Sequence, residues 1–199
     1  MLRVANYIYL VLDFLKRNGK YRREYISLRG QCIWSSKSKP RLGLFKISET
    51  PVLLLHGGMS QSEGFDGRLA PAVKGYEVYS YDRAGHGRTP DQSGSFHFDF
   101  QMREAIAYLE EVVKRPAHLI GSSDGGIISL LVAIHRPDLV ETLTLIGANY
   151  NTNTGVAAPD IWIPTDEERA KYANFSPDPP HTLDEKIAKM VHIWHTEPD

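Results

Sequence analysis

The sequence contains only one cysteine. It also lacks an excess of charged residues of one sign and a long apolar run. The single cysteine, Cys32, cannot form a disulfide within the chain, which favours a reducing compartment such as the cytoplasm. Lys and Arg number 23 against 24 Asp and Glu, so neither nucleic acid nor an anionic membrane is expected as the main partner. There is also no phosphate-binding P-loop, GxGxxG or metal-ligand cluster, and we therefore expect no cofactor.

The N-terminal region carries a short apolar stretch, residues 7–12, that is too short to cross a bilayer. No small-residue cleavage site follows it, as a signal peptide would require. We predict a helix over residues 4–17, ended by Asn18-Gly19, and assign residues 1–24 to this N-terminal helix. The helix either packs on the domain or makes weak peripheral contact with a membrane surface through its flanking lysines and arginines.

Apolar runs alternate with helical patterns over residues 25–150. The segments EYISLRG and QCIWSS predict a hairpin that turns at Gly30, and VLLL, EVYSY, AHLIGS and ETLTLIGAN predict buried strands. Helical patterns cover residues 62–73, 99–114 and 124–135. This alternation predicts an α/β fold with a mostly parallel sheet flanked by helices on both faces.

Residues 151–199 differ in character, with several prolines and no strand pattern. Thr165 with Glu168, and Thr182 with Glu185, have the spacing of capping boxes that begin helices. The second helix, residues 183–195, is predicted to bury one face, formed by Ile187, Met190, Val191 and Trp194. We expect this segment to form a helical cap over the sheet.

The sequence GSSDG, residues 121–125, matches G-x-S-x-G between a predicted strand and a predicted helix. In that context the serine lies on a tight turn that presents its hydroxyl, and small flanking residues avoid clashes. Ser123 is therefore the candidate nucleophile, with Gly121 and Gly125 in support; a plain glycine-rich turn is the alternative. Ser122 is excluded because Ile120 stands where the pattern needs glycine.

A second motif, His56-Gly57-Gly58, ends the first buried strand. Its backbone can offer an N–H to a developing oxyanion, and the N–H of Asp124 would be the second donor. We expect Gly58 to be the first donor, with Met59 as the alternative. His56 is expected to brace the loop by hydrogen bonding, with Gly57 in support, and not to act as the base.

A third motif, DRAGHGRT, residues 82–89, follows the next strand, where Asp82 and His86 are expected to shape a loop beside the nucleophile. With HGG, DRAGHGRT and GSSDGG in this order, the chain resembles the α/β-hydrolase superfamily, most of all its small esterase, lactonase and proline-iminopeptidase branch. The aspartate directly after Ser123, Asp124, also resembles the residue at this position in valacyclovir hydrolase-like relatives. The resemblance implies a serine hydrolase that acts on small-molecule carboxylic esters, lactones or amides.

The same resemblance implies a triad acid and histidine on loops beyond the cap, yet the sequence stops at Asp199. The histidines after Ser123 are poor substitutes: His135 is expected some 17 Å along a helix, and the others lie in the cap. We expect the chain to be a fragment, with its last strand left as an open edge. A ligand-binding pseudo-hydrolase and non-hydrolytic chemistry, such as that of a lyase or perhydrolase, are the alternatives.

Overall fold

The structure is a computed structural model that describes residues 21–38, 48–69, 72–73, 75–152 and 159–198. The predicted helix over residues 4–17 lies outside the described residues. Residues 39–47 also lie outside the described residues. The first strand begins at Tyr21, within the range 1–24 that the sequence analysis assigns to the N-terminal helix.

Six strands form one sheet in the order β1-β2-β4-β3-β5-β6. The strands are β1 (Tyr21–Leu28), β2 (Gln31–Ser38), β3 (Val52–Leu55), β4 (Val78–Tyr81), β5 (Ala117–Ser122) and β6 (Val140–Ile146). β1 and β2 form the predicted hairpin, turning at Gly30 with φ 83°, and β2 pairs antiparallel with β4. All the remaining pairs are parallel, which confirms a mostly parallel sheet.

Helices cover both faces of this sheet. Every side chain of β3 is therefore buried, and successive side chains lie on opposite faces. The helices of this part are α1 (Ser62–Leu69), α2 (Phe98–Tyr108) and α3 (Asp124–His135). Leu53 and Leu55 share a core with side chains of α2 and α3. Val52 and Leu54 pack with Phe65 and Leu69 of α1 on the opposite face.

The predicted helix ends need two corrections. α1 stops at Leu69 and not at Val73; a proline at position 71 disfavours helical backbone at the residue before it. α2 gives way to a π-helical turn, Leu109–Val113, which ends at Lys114 in a left-handed conformation with φ 63°.

The cap contains two helices, α4 (Asp166–Phe175) and α5 (Leu183–Thr196). The capping box of Thr165 and Glu168 forms as predicted. The second box does not: Thr182 has helical backbone and makes no side-chain cap hydrogen bond. Its hydroxyl instead bonds to the carbonyl oxygen of Pro179.

The buried face of α5 also differs from the prediction. Val191 is half-exposed, whereas the buried residues are Leu183, Lys186, Ile187, Met190 and Ile193. Met190 and Ile193 join the main core, so α5 packs directly against the central part of the molecule.

β6 lies at the edge of the described sheet and pairs with β5 alone. Leu145 and Ile146, near its carboxyl end, are each 42% exposed. Within the described ranges, no helix combines the length and the apolar character needed to cross a membrane.

Candidate active site

Ser123 lies on the turn between β5 and α3, at the carboxyl end of the sheet, and its side chain is exposed. Its backbone has φ 50° and ψ −122°, a conformation that L-amino acids rarely adopt. The turn is held on both sides, because the Ser123 N–H donates to the carbonyl oxygen of Ile146 and the Ser123 carbonyl accepts from Gly126 and Ile127. The neighbouring elements therefore fix a strained serine in an accessible position.

The glycines beside Ser123 allow this turn to pack closely. A Cβ at Gly121 would overlap the carbonyl oxygen of Gly125 and lie 2.6 Å from the nitrogen of Gly126. A Cβ at Gly125 would overlap the carbonyl oxygen of Leu55 and lie 2.6 Å from that of His56. The end of β3 and the start of α3 are thus in direct backbone contact.

That contact brings the loop of His56, Gly57, Gly58 and Met59 beside the serine. A Cβ placed on Gly57 would lie 3.4 Å from the Cβ of Ser123. Gly58 faces Asp124, and Met59 has a left-handed backbone with φ 48°. Asp124 is the first residue of α3, where backbone N–H groups have no partner within the helix.

His56 braces this loop from within the core, being only 1% exposed. Its Nδ1 is 2.8 Å from the carbonyl oxygen of Gly57, which can only accept, so Nδ1 carries the proton. Its Nε2 accepts the backbone N–H of Arg83. Burial lowers the pKa of His56 well below its usual value, helped by the charge of Arg83; the ring is a neutral structural group.

Asp82 joins the loops after β3 and β4 at the same end of the sheet and is fully buried. Its Oδ1 accepts from the backbone N–H and the hydroxyl of Ser62, at the start of α1. Its Oδ2 accepts the backbone N–H of Arg88. Gly87, with φ 54°, leaves room for that carboxylate.

His86, in the same loop, is also buried, with its ring centroid 5.4 Å from that of His56. Its Nδ1 donates to the carbonyl oxygen of Ala84. Burial and the charge of Arg83 lower the pKa of His86 to about 3. His86 is therefore neutral at physiological pH and bonded within its own loop.

Trp194 of α5 brings the cap into contact with the candidate oxyanion site. Its indole Nε1 donates to Oδ1 of Asp124 at 2.9 Å, and a Cβ on Gly58 would lie 2.7 Å from its Cζ2. Burial raises the pKa of the Asp124 carboxyl, while the charge of Arg83 and the bond from Trp194 oppose the shift.

A second buried acid, Glu104 of α2, supports the loop that follows β4 by accepting the N–H of Ala84. Burial raises its pKa to about 7, against the opposing charge of Arg83. Because the folded protein then holds this proton more tightly than the unfolded chain, the stabilisation is complete below pH 4.5 and is lost as the pH rises through about 7.

We expect Glu104→Gln to remove this pH dependence. Between pH 5 and pH 8.5 the unfolding free energy of the variant should fall by about 2.5 kcal/mol less than that of the unaltered chain, because this window covers most of the shift. Urea unfolding at a series of pH values measures the unfolding free energies of both proteins. The buried histidines are present in both, so their contribution to the pH dependence cancels in the comparison. Glu141→Gln, at an exposed carboxyl, is the control; a parallel profile for the Glu104 variant would contradict the assignment.

A cavity of about 170 Å³ lies between the cap and the loops after β3 and β4. Its walls are mainly apolar and aromatic, and they include Met59, His86, Trp162, Tyr172, Phe175 and Ile187. Lys186 of α5 anchors the cap beside it, since its buried ammonium bonds to Asp178 and to the carbonyl oxygen of Gly85. The cavity is adjacent to the candidate oxyanion loop, although Ser123 does not line it.

None of the hydrogen bonds made by the described histidines involves Ser123. His135 bonds to the carbonyl oxygen of Leu131 on its own helix. His195 pairs with Asp160 in the cap. Across the described ranges, no group of three His, Cys, Asp or Glu side chains is arranged to hold a metal ion.

Two contacts near the candidate site are not predicted from the sequence, those of Arg83 and Trp194. Arg83 is fully buried and donates to the carbonyl oxygens of His56 and Gly57. A charged residue after a strand gives no sign of such burial. Trp194 was expected only as part of an apolar face.

Comparison with known proteins finds similar chains among hydrolases. The chain is 33% identical over 111 residues to rhodomycin D methylesterase DauP of Streptomyces sp. (strain C5), with 52% of this chain and 37% of that protein covered. It is 31% identical over 104 residues to (E)-2-((N-methylformamido)methylene)succinate hydrolase of Acinetobacter baylyi, with 50% and 38% covered. The chain thus spans about two fifths of the length of these curated relatives.

Solved structures give the same fold. An epoxide hydrolase of Vigna radiata, VrEH1, superposes with a TM-score of 0.56 at 17% identity, covering 79% of this chain and 46% of that one. The family model of the alpha/beta hydrolase fold matches residues 50–185, which include all three glycine-containing motifs. The chain therefore belongs to the α/β-hydrolase fold family.

Proposed function

We propose that this chain carries the nucleophile and the oxyanion site of a serine hydrolase acting on small carboxylic esters, lactones or amides. The observation that carries the proposal is the exposed Ser123, held at φ 50° beside the glycine loop after β3. Strain of this kind costs about 1–3 kcal/mol and is found mainly at functional sites.

In the proposed reaction, Oγ of Ser123 attacks the carbonyl carbon of the substrate, and the carbonyl electron pair moves onto oxygen. The N–H groups of Gly58, or alternatively Met59, and of Asp124 donate to that oxyanion. Collapse expels the alcohol or amine and leaves an acyl ester on Ser123, which water then hydrolyses. The serine proton passes to a base other than the described histidines, none of which bonds to Ser123, and that base delivers it to the departing alcohol or amine.

The relatives support the breadth of this substrate class. One is named as a methylesterase and another as the hydrolase of an N-methylformamido succinate derivative. The apolar and aromatic walls of the cavity beside the oxyanion loop suit an uncharged organic group of a small substrate. The exposed free thiol of Cys32 fits the cytoplasm as the proposed compartment.

The second candidate is a ligand-binding pseudo-hydrolase with the same cavity and no turnover. It is favoured by one observation: His56 and His86 are buried and bonded to backbone carbonyls of their own loops, and His135 is bonded within its own helix. A serine hydroxyl without a base is a weak nucleophile at neutral pH.

Labelling with a fluorophosphonate probe separates the two candidates. The proposed hydrolase, in which a base other than the described histidines activates Ser123, should gain one phosphonyl group, and peptide mapping should locate it on Ser123. Ser122→Ala is the matched control, since it removes the adjacent hydroxyl and should leave the labelling unchanged. Absence of labelling in the folded chain, or labelling on another residue, would reject the serine hydrolase in favour of the pseudo-hydrolase.

A further inference from the structure

We propose that Arg83 is a positioning residue that orients the main-chain donors of the oxyanion site. The inference rests on the proposed function, because it concerns how the oxyanion loop is held. Arg83 follows β4 and is fully buried, yet its guanidinium is aimed at the backbone of the loop after β3.

The guanidinium spans two successive peptide groups of that loop. Nη1 donates to the carbonyl oxygen of His56, and Nη2 donates to that of Gly57 at 3.1 Å. The Gly57 carbonyl also accepts from Nδ1 of His56 at 2.8 Å, so two donors fix it on the core side.

A fixed carbonyl determines where the next N–H points. A trans peptide is planar, with its C=O and N–H groups directed to opposite sides. Because the Gly57 carbonyl points to Arg83 and His56, the N–H of Gly58 must point away from them. The His56 carbonyl, which Arg83 also holds, fixes the direction of the Gly57 N–H in the same way.

Glycine makes such a device necessary at this position. Gly57 and Gly58 have no Cβ to limit their backbone angles, and a rotated peptide would present a carbonyl oxygen where a donor is needed. Preorganised donors stabilise an oxyanion because they need no rearrangement during the reaction. Arg83 supplies this order from the core, without approaching the substrate.

Arginine suits this task better than lysine does. Its planar fork presents several N–H groups in fixed directions, whereas an ammonium is a single compact centre. Burial lowers the pKa of Arg83, but the nearby Asp124, Tyr81 and Glu104 counteract that shift. Arg83→Lys should keep the charge and hold no more than one of the two carbonyls.

The test uses a thiol in place of the serine hydroxyl, so that no general base is needed. Ser123→Cys is combined with Cys32→Ala, because the thiol of Cys32 is free and exposed. The introduced thiolate at position 123 is acylated by p-nitrophenyl acetate, with a new S–C bond, a broken C–O bond and release of p-nitrophenolate. Iodoacetamide alkylates the same thiolate by displacing iodide, a step that forms no oxyanion.

In this background we expect Arg83→Lys to slow acylation by about 10-fold to 100-fold and to leave alkylation within about 2-fold. A merely structural role would alter both rates together. Equal loss of both rates, or loss of neither, would overturn the proposal. Circular dichroism establishes that the variant is folded; if it is not, Arg83→Gln is measured in the same way.

Arg88→Lys provides the matched control within the same loop. Arg88 is also shielded and paired, with Glu63 and Asp82, but it touches neither His56 nor Gly57. Its substitution should leave the ratio of acylation to alkylation unchanged. Because the ratio is measured on a thiol, failure of the native serine to react with the fluorophosphonate would reject the proposed function alone.

Discussion

Ser123→Gly is expected to make the protein more stable by about 1 kcal/mol and to abolish its covalent labelling. The gain follows from the backbone of Ser123, since φ 50° with ψ −122° is strained for an L-residue and readily adopted by glycine. The greater freedom of glycine in the unfolded chain offsets part of the relief. The loss follows because no hydroxyl remains at the turn.

Ser123→Ala separates these two effects. Alanine also lacks the hydroxyl but keeps the Cβ, so labelling should disappear while the strain remains. Urea unfolding of the three proteins measures the difference, and the order of stability should be glycine above alanine and serine. A glycine variant less stable than the alanine variant would show that the turn carries no strain.

Gly125→Ala should have the largest effect on stability, a loss of about 3 kcal/mol or more. The new methyl would overlap the carbonyl oxygen of Leu55 and crowd that of His56. Both are backbone atoms and cannot rotate away as a flexible side chain can. α3 would have to move off the end of β3, and the turn at Ser123 would move with it.

Gly64→Ala is the matched control for this substitution. Gly64 is exposed in α1, and no atom lies within 4 Å of the Cβ that alanine would add. Alanine is there expected to be neutral or to stabilise the helix by up to about 1 kcal/mol. Thermal and urea unfolding of both variants check the pair; similar stabilities would contradict the close contact between α3 and β3.

The elements that were predicted correctly depend on residues close together in the sequence. The turn at Ser123 is one example. Its strand pattern, its glycine-flanked serine and its helix pattern all lie between residues 117 and 135. The start of α4 is another, since its capping box is contained in four residues. The second box failed because Thr182 takes part in a preceding turn with Pro179, which competes for its hydroxyl.

The contacts that were missed join residues far apart in the sequence. Lys186 was not expected in a buried face, because a lysine is buried only with partners, and Asp178 and Gly85 become its partners only in the folded chain. Arg83 was missed for the same reason. Its two acceptors are backbone carbonyls, and a sequence carries no signal for the direction of a carbonyl.

The contact among Gly58, Asp124 and Trp194 restricts how homologous chains can vary. These residues come from the loop after β3, the start of α3 and the cap, and they share one small volume. A larger residue at position 58 would require a smaller side chain at 124 or 194, and loss of the indole would leave a buried carboxyl short of a donor. Substitutions at the three positions should therefore be correlated across descendants of a common ancestor.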